Sequence, residues 1–302
     1  MKIRMLGIET AEGALLPGMV SSPLGRASRV WLNQGLAEEL AAAGATIESI
    51  AFPAIEPGAE STDKVVNLGE LNARVATAVA GAFNAGALPL LAGGTCNQLI
   101  GMLSGMQAFY GPTARIGLIW LDAHGDFNTP STSPSQMLGG MPVATAAGLC
   151  WPVWRERAGL TCPLPTDRIV MVDVRNLDPE EEQLVRATDV TVARFADGFD
   201  PAPVIEAIAQ LAARVDHLYL HIDSDILDAS LQPNHTTAEP NGPGLEPVYA
   251  VIDAAVETGK VRAFAVVSVN PDGSEGDISL ASGRAMITRG VSALIRQELI
   301  AV

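Results

Sequence analysis

Two short acidic runs, each set directly behind an apolar run, constrain this chain more than anything else in it. The first is Asp122-Ala123-His124-Gly125-Asp126, behind Ile116–Leu121; the second is Asp223-Ser224-Asp225-Ile226-Leu227-Asp228, behind residues 218–222. Apolar runs this short and continuous read as strands buried on both faces. A strand sends residues i, i+2 and i+4 to one side. If the extended geometry carries past the strand end, Asp122, His124 and Asp126 converge, and so do Asp223 and Asp225. Four carboxylates and an imidazole at one sheet edge repel each other without a counter-charge. Two divalent cations supply four positive charges against four negative ones, which matches a two-metal hydrolytic centre.

The rest of the chain supplies a sheet to carry these strands. Short runs rich in Val, Ile and Leu, most of them bounded by Gly, Pro or Asp, predict strands at 3–7, 46–51, 88–92, 116–122, 169–174, 190–193, 218–223 and 261–268. Helical patterns fall between them at 28–43, 65–85, 203–214 and 247–258, with 283–300 closing the chain. Pro203 and Pro247 sit where a helix start tolerates proline. Alternating β and α units imply a mainly parallel sheet covered on both faces. No repeat, low-complexity segment or linker divides the chain, so 1–302 reads as one domain. Two loop-rich stretches, 128–141 and 228–245, each begin just after an acidic run. Ligands of open α/β sheets bind outside the carboxyl ends of strands, so these loops are expected to wall the site.

Bulk properties exclude several functions. With 48% hydrophobic residues in 302, there is ample material for a core. A formal charge of −15 argues against nucleic acid or anionic lipid as a partner. No apolar run is long enough to span a bilayer. The start, Met1-Lys2-Ile3-Arg4-Met5-Leu6-Gly7, soon meets Glu9 and Glu12, and reads as a first strand rather than a signal peptide. Three cysteines, Cys96, Cys150 and Cys162, make no even disulfide set, which points to a reducing, cytoplasmic setting.

The motifs resemble those of a known family. The run from Asp122 to Asp126, continued by Phe127-Asn128-Thr129-Pro130, looks like the first metal signature of the ureohydrolases, the superfamily of arginase, agmatinase and formimidoylglutamase. The run from Asp223 to Asp228 resembles its second. Gly93-Gly94 after a strand, Leu138-x-Gly140-Met141-Pro142, Arg175-x-x-Asp178-Pro179 and Val269-Asn270-Pro271 match further landmarks in the right order. The resemblance spans residues 1 to 300, weakly over the first 80. It implies a three-layer α/β/α fold with an eight-stranded, mostly parallel sheet. It implies two divalent metal ions, manganese by family habit, bridged by a hydroxide that attacks the central carbon of a guanidino or amidino compound. Asp122 and Asp223 would bridge the metals, Asp126 would complete one, and His124 and Asp225 the other. Asn128, Ser135 and Asp178 match arginase residues that hold the amino-acid end of the substrate, and Glu181 matches in the same segment. The loop holding Thr237 matches one that borders the substrate pocket. The family is commonly a trimer or hexamer, so a homo-oligomer is expected.

Departures from the pattern narrow the reading. Where the family has Asp-His-Ser after the two glycines, this chain has Thr95-Cys96-Asn97, so Cys96 occupies a metal-ligand position. A thiolate is softer than imidazole and favours zinc, iron, cobalt or nickel over manganese; the other reading is that Cys96 does not ligate. Gly139 stands where the family often has a proton-shuttling His. Ser268 stands where arginase-like members carry a Glu that pairs with the guanidinium, and Ser offers a hydrogen bond without charge. The lost charge-assisted contact is worth roughly 1.5–3 kcal/mol. Asp228-Ala229 replaces Asp-Pro.

His235, in the loop after the second run, is either a surface residue or a replacement shuttle, since imidazole titrates near neutral pH. Glu239 is a candidate for the charge missing at Ser268. His221 shares a face with Asp223, which allows a bracing role, and the scattered Arg residues read as solvated surface. The leading expectation is a metal-dependent hydrolase of linear amidine or guanidino C–N bonds, neither an ordinary arginase nor an agmatinase, with Asp225 or His235 handling the proton. The alternative is a degenerate paralogue acting as a non-catalytic or regulatory subunit. A third reading runs different chemistry, such as amide hydrolysis or an iron redox reaction, on the same centre.

Overall fold

The computed structural model describes residues 1–14, 23–271, 274 and 276–300; the expected domain span of 1–302 includes residues outside these. All eight expected strands form, with ends shifted by a residue or two: β1 (Lys2–Leu6), β2 (Thr46–Ala51), β3 (Leu88–Ala92), β4 (Ile116–Leu121), β5 (Ile169–Val172), β6 (Thr191–Ala193), β7 (His217–Asp223) and β8 (Val261–Val267). They make one sheet in the order β2-β1-β3-β8-β7-β4-β5-β6. Every pairing is parallel. The strands that end in the two acidic runs, β4 and β7, are direct neighbours, with Leu121 opposite Ile222. Their carboxyl ends therefore deliver Asp122 and Asp223 side by side.

The described residues hold ten α-helices: α1 (Ala27–Asn33), α2 (Leu36–Ala42), α3 (Lys64–Asn84), α4 (Leu99–Tyr110), α5 (Pro142–Ala146), α6 (Pro152–Arg157), α7 (Pro179–Arg186), α8 (Ala202–Arg214), α9 (Leu245–Glu257) and α10 (Ile278–Ile300). Alternation along the strands feeds two cores. Ile119 and Leu121 face a core with α1, α2, α8, α9 and α10, whereas Leu118 and Trp120 face one with α3 to α7. The result is the expected three-layer α/β/α arrangement. No described helix is long and apolar enough to cross a membrane.

Two helical expectations need correction. The stretch 28–43 is not one helix: Gly35, at φ 81°, breaks it into α1 and α2. Helix α4 falls where the pattern predicts none, as do the short α5 and α6. Leu99, Ile100, Met102, Leu103 and Met106 are buried on every side of it, so no polar face marks its period. It begins just after Cys96 and lies against α3, where a Cβ at Gly105 would fall 2.4 Å from Val79 Cβ and 2.8 Å from Ala76 O. Gly105→Ala should cost about 1–3 kcal/mol in overpacking, read as a lower midpoint in urea unfolding. An unchanged midpoint would mean that α3 and α4 separate freely.

Candidate metal centre

The carboxyl ends of β3, β4, β7 and β8 surround a cavity of about 240 Å³. Cys96 reaches it through a tight turn. Gly93 and Gly94, at φ 88° and 93°, follow β3; a Cβ at Gly93 would sit 2.4 Å from Ser28 Oγ. The Gly93 N–H donates to Val266 O at 2.8 Å, and Gly94 O accepts from Ser268 N at 3.0 Å. Thr95 then caps a short 3-10 turn that starts at Cys96, its N–H donating to Gln98 Oε1 at 2.7 Å.

Three overlapping groups of potential ligand atoms, each within 4.8 Å of one another, form the floor: Cys96 with Asp122 and Asp223, Asp122 with His124 and Asp225, and Asp223 with Asp225 and His235. The Cys96 thiol donates to Asp223 Oδ2 at 2.9 Å and lies 3.8 Å from Asp122 Oδ2. His124 Nδ1 is 3.0 Å from Asp225 Oδ2 and 3.4 Å from Asp122 Oδ1. Backbone amides aim the carboxylates: His124 N–H donates to Asp122 Oδ1 at 2.6 Å, Ala123 N–H to Asp225 Oδ1 at 3.2 Å, and Asp225 N–H to Asp223 Oδ1 at 3.1 Å. Asp126, at φ 47°, lines the same cavity but joins none of the three groups.

The remaining expected residues all line this cavity. Asn128 Nδ2 donates to Asp178 Oδ2 at 2.9 Å, so the two form one polar wall. Ser135 lines the cavity from the same 128–141 loop as Asn128. Glu181 is buried, and its carboxylate accepts from the amides of Phe127 at 2.8 Å and Asp178 at 3.2 Å, which ties the two walls together. Ser268 is buried beside Cys96, its Oγ 3.8 Å from Sγ. The space at Gly139 is narrow: a Cβ there would lie 3.3 Å from Ala14 Cα, and Gly139 N–H donates to Gly13 O at 2.8 Å.

Several side chains sit elsewhere than expected. His235 is not on the surface. Its side chain is 5% exposed, with Nε2 3.5 Å from Asp223 Oδ1 and Nδ1 3.8 Å from Asp225 Oδ2. Glu239 faces His124 rather than Ser268, with Oε1 3.4 Å from Nε2. His221 braces no acidic residue; it stacks on Trp120 at 4.2 Å and bonds Tyr219 Oη through Nδ1 at 2.7 Å. Burial pulls its pKa down to about 3. Arg175 is no surface residue either: it gathers carbonyl oxygens of the loop after β7, among them Asp225 O at 2.9 Å and Ile226 O at 3.1 Å. A lone Arg before a proline-started helix carries no local signal of that, because these carbonyls lie fifty or more positions away.

The electrostatics call for a cation. The described lining holds six carboxyl groups and no Lys or Arg. Burial, then the charges of Asp225, Asp223 and Asp126, push Asp122 far above the carboxylate range. Asp126 is also raised, by burial first, against the pull of His124. Burial and the surrounding carboxylates raise the Cys96 thiol. Burial works to neutralise His124, but Asp225 and Asp122 outweigh it and hold the ring protonated. Asp225, despite burial, is held ionised by His124. Burial also works against a charge on His235, but Asp223 and Asp225 outweigh it and raise its pKa. Without an ion, imidazolium and protonated carboxyls must balance the site. Mixed oxygen, nitrogen and sulfur donors at this spacing fit divalent cations, which would ionise all of them.

One consequence is testable in the metal-free protein. Burial raises Glu181 from 4.5 to about 7, offset in part by the Phe127 and Asp178 amides. Its folded form therefore holds the proton more tightly than the unfolded form, and stability falls as pH rises between these values. Asp122 and Asp126 act in the same sense; Asp225, lowered by His124, is ionised in both states here and contributes no slope, whereas His221, neutral in the fold, opposes them up to pH 6.5 without outweighing the three carboxyls. Urea unfolding in chelator should give a lower midpoint at pH 7 than at pH 5. A higher midpoint at pH 7 would contradict the assigned shifts.

Comparison with known proteins agrees with this geometry. The sequence model of the arginase family matches residues 34–290. An arginase from Bacillus caldovelox is 32% identical over 205 residues, covering 67% of this chain and 68% of the relative. The native structure of the arginase from that organism superposes with a TM-score of 0.85 at 26% identity, covering 96% of this chain and 98% of the other. Formimidoylglutamase from Bacillus subtilis shares the fold alone, with a TM-score of 0.72 at 12% identity over 97% of this chain and 87% of the other. Acidic runs on neighbouring strands, the two-sided parallel sheet and these matches meet in one conclusion: the chain belongs to the arginase family, within the ureohydrolase superfamily.

Proposed function

We propose that this chain, acting as one domain over 1–302, is a metal-dependent hydrolase of linear guanidino or amidino C–N bonds, with a substrate other than that of an ordinary arginase or agmatinase. The observation that carries the reading is the set of overlapping ligand groups in one buried cavity without Lys or Arg among its described lining residues. Asp122 and Asp223 would be shared by two divalent cations, manganese by family or a softer metal if Cys96 ligates. Cys96 and Asp126 would serve one ion, His124 and Asp225 the other. When bound, such a pair makes a water acidic enough to attack near neutral pH and offsets the charge that develops on the substrate.

The chain's own residues do the rest. Glu239 Oε1 lies 3.4 Å from His124 Nε2; a proton held on that nitrogen facing the carboxylate would leave Nδ1 free to ligate. Asp225 Oδ2 takes up the proton from the attacking water. Asn128, Ser135 and Asp178 hold a polar handle on the substrate, Glu181 keeps their loops in register, and Thr237 borders the pocket. Ser268 offers only a hydroxyl where a guanidinium would seek a carboxylate, which favours a less cationic amidino or guanidino group. A homo-oligomer, trimer or hexamer, in the cytoplasm completes the reading; the free Cys96, Cys150 and Cys162 suit that setting.

The test is release of urea or ammonia from a panel of guanidino and amidino compounds by the purified chain, with chelator and after metal is returned. Turnover that chelator abolishes and metal restores is expected, with arginine and agmatine poor substrates. Metal uptake without turnover on any compound would favour the non-catalytic subunit, the reading that Cys96, Gly139 and Ser268 support.

A further inference from the structure

The imidazole missing at position 96 has a counterpart across the cavity. His235 lies in the loop after β7, far from Cys96 in sequence, yet its ring meets the same carboxylates. Its side chain is 5% exposed, and Nε2 is 3.5 Å from Asp223 Oδ1. Nε2 is also buried with no hydrogen-bond partner. A polar nitrogen left bare inside a protein costs about 1–3 kcal/mol, so one aimed at a carboxylate cluster calls for an occupant. His235, Asp223 and Asp225 bring one ligand atom each to within 4.8 Å of one another.

We propose that His235 is a metal ligand: through Nε2 it joins Asp223 and Asp225 in the shell of the divalent cation that His124 would also serve, so that the centre as a whole regains from the loop after β7 the second imidazole it lacks at Cys96. This rests on the metal-centre reading above. The tautomer is available. Thr237 Oγ1 lies 3.2 Å from His235 Nδ1 and accepts a hydrogen bond when that nitrogen carries the proton, which leaves the Nε2 lone pair facing the carboxylates. In the other tautomer the Thr237 amide donates to Nδ1, also at 3.2 Å, and Nε2–H points at Asp223. A cation selects the first arrangement, with Thr237 as the outer partner that orients the ring. The site then keeps two imidazoles, His124 and His235, and two shared carboxylates. A ligating His235 has no lone pair left to shuttle protons, so the metal role and the shuttle role exclude each other.

The full chain loaded with Mn(II) alone, studied by pulsed electron paramagnetic resonance, separates them. Couplings from two imidazole nitrogens are expected in the native protein and from one in His235→Gln. Competition against a chelator should show Mn(II) binding weakened by at least the ~10-fold that even the outer partner of a ligand costs. The native nitrogen count needs no variant, so a misfolded His235→Gln cannot hide the answer. One nitrogen coupling in the native protein, or unchanged metal affinity in a folded His235→Gln with reduced turnover, would overturn the proposal and make His235 a proton carrier. A native protein that takes up no Mn(II), Zn(II) or Co(II) would instead overturn the metal-centre reading itself.

Discussion

Asp223→Asn is expected to abolish turnover and, in the same protein freed of metal, to raise the melting temperature. Asp223 stands at the crossing of the ligand groups: Cys96 Sγ is 2.9 Å from its Oδ2, and it belongs both to the Cys96 and to the His235 set. Asparagine keeps an oxygen for the Asp225 amide, which Oδ1 now accepts at 3.1 Å, so the local turn survives. What disappears is one negative charge. With metal, that charge is a ligand to the ions that carry the chemistry. A loss of several kcal/mol of transition-state stabilisation corresponds to roughly 10³-fold or more in rate. Without metal, the same charge drives Asp122 and Asp126 away from ionisation. Its removal relieves buried repulsion and should stabilise the apoprotein by ~1 kcal/mol or more. Thermal unfolding in chelator and assay in metal read the two halves. A variant within tenfold of native turnover, or an apoprotein less stable than native, would contradict the account.

Arg175→Ala should cost more stability than any other single change near the site. The Arg175 side chain is 12% exposed. Its Nη2 donates to Asp225 O at 2.9 Å and to Leu227 O and Glu239 O, both at 3.2 Å. Nη1 reaches Ile226 O at 3.1 Å and Asp173 Oδ2 at 3.3 Å, and Nε reaches Pro240 O at 3.3 Å. One guanidinium thus ties the start of the loop after β7, which carries Asp225, to its far side, which carries Glu239. Truncation removes all of these bonds at once: Glu239 O keeps the Ala229 amide at 3.1 Å and Asp173 keeps the charge of Arg194, but the carbonyls of Asp225, Ile226, Leu227 and Pro240 lose their guanidinium. The expected loss is ~3–5 kcal/mol, lowering Tm by roughly 5–15 °C for a domain of this size. Arg175→Lys should recover little, since an ammonium cannot span the same fork. Metal affinity should fall as well, because Asp225 and Glu239 lose their register. A loss under about 1 kcal/mol in urea unfolding would mean that the loop holds itself.

What the sequence made legible follows from the range of the forces involved. Strands β4 and β7 are legible because burial on both faces leaves largely apolar runs, broken in β7 only by His221, and Asp122, His124, Asp223 and Asp225 because i, i+2 geometry is local. Helix α4 is illegible for the opposite reason: burial all round erases its period. The positions of Arg175, His235 and Glu239 depend on how the loop of 224–244 folds back over the sheet, and that is decided by contacts across the chain, such as Asn176 Nδ2 donating to Glu239 Oε1 at 2.6 Å. The charge of Glu239 suits the gap at Ser268, and Arg175 marks a family landmark without its partners; only the folded loop decides what each one touches. The narrow space at Gly139 likewise depends on Gly13 and Ala14, more than a hundred residues earlier.

The most direct test of the central claim is the metal content of the native protein, measured by inductively coupled plasma mass spectrometry after exhaustive dialysis. A buried cavity with six carboxyl groups and no Lys or Arg among its described lining residues predicts about two divalent ions per chain, as two-metal chemistry requires. A folded protein that holds none, even when offered manganese, zinc or cobalt, would contradict it.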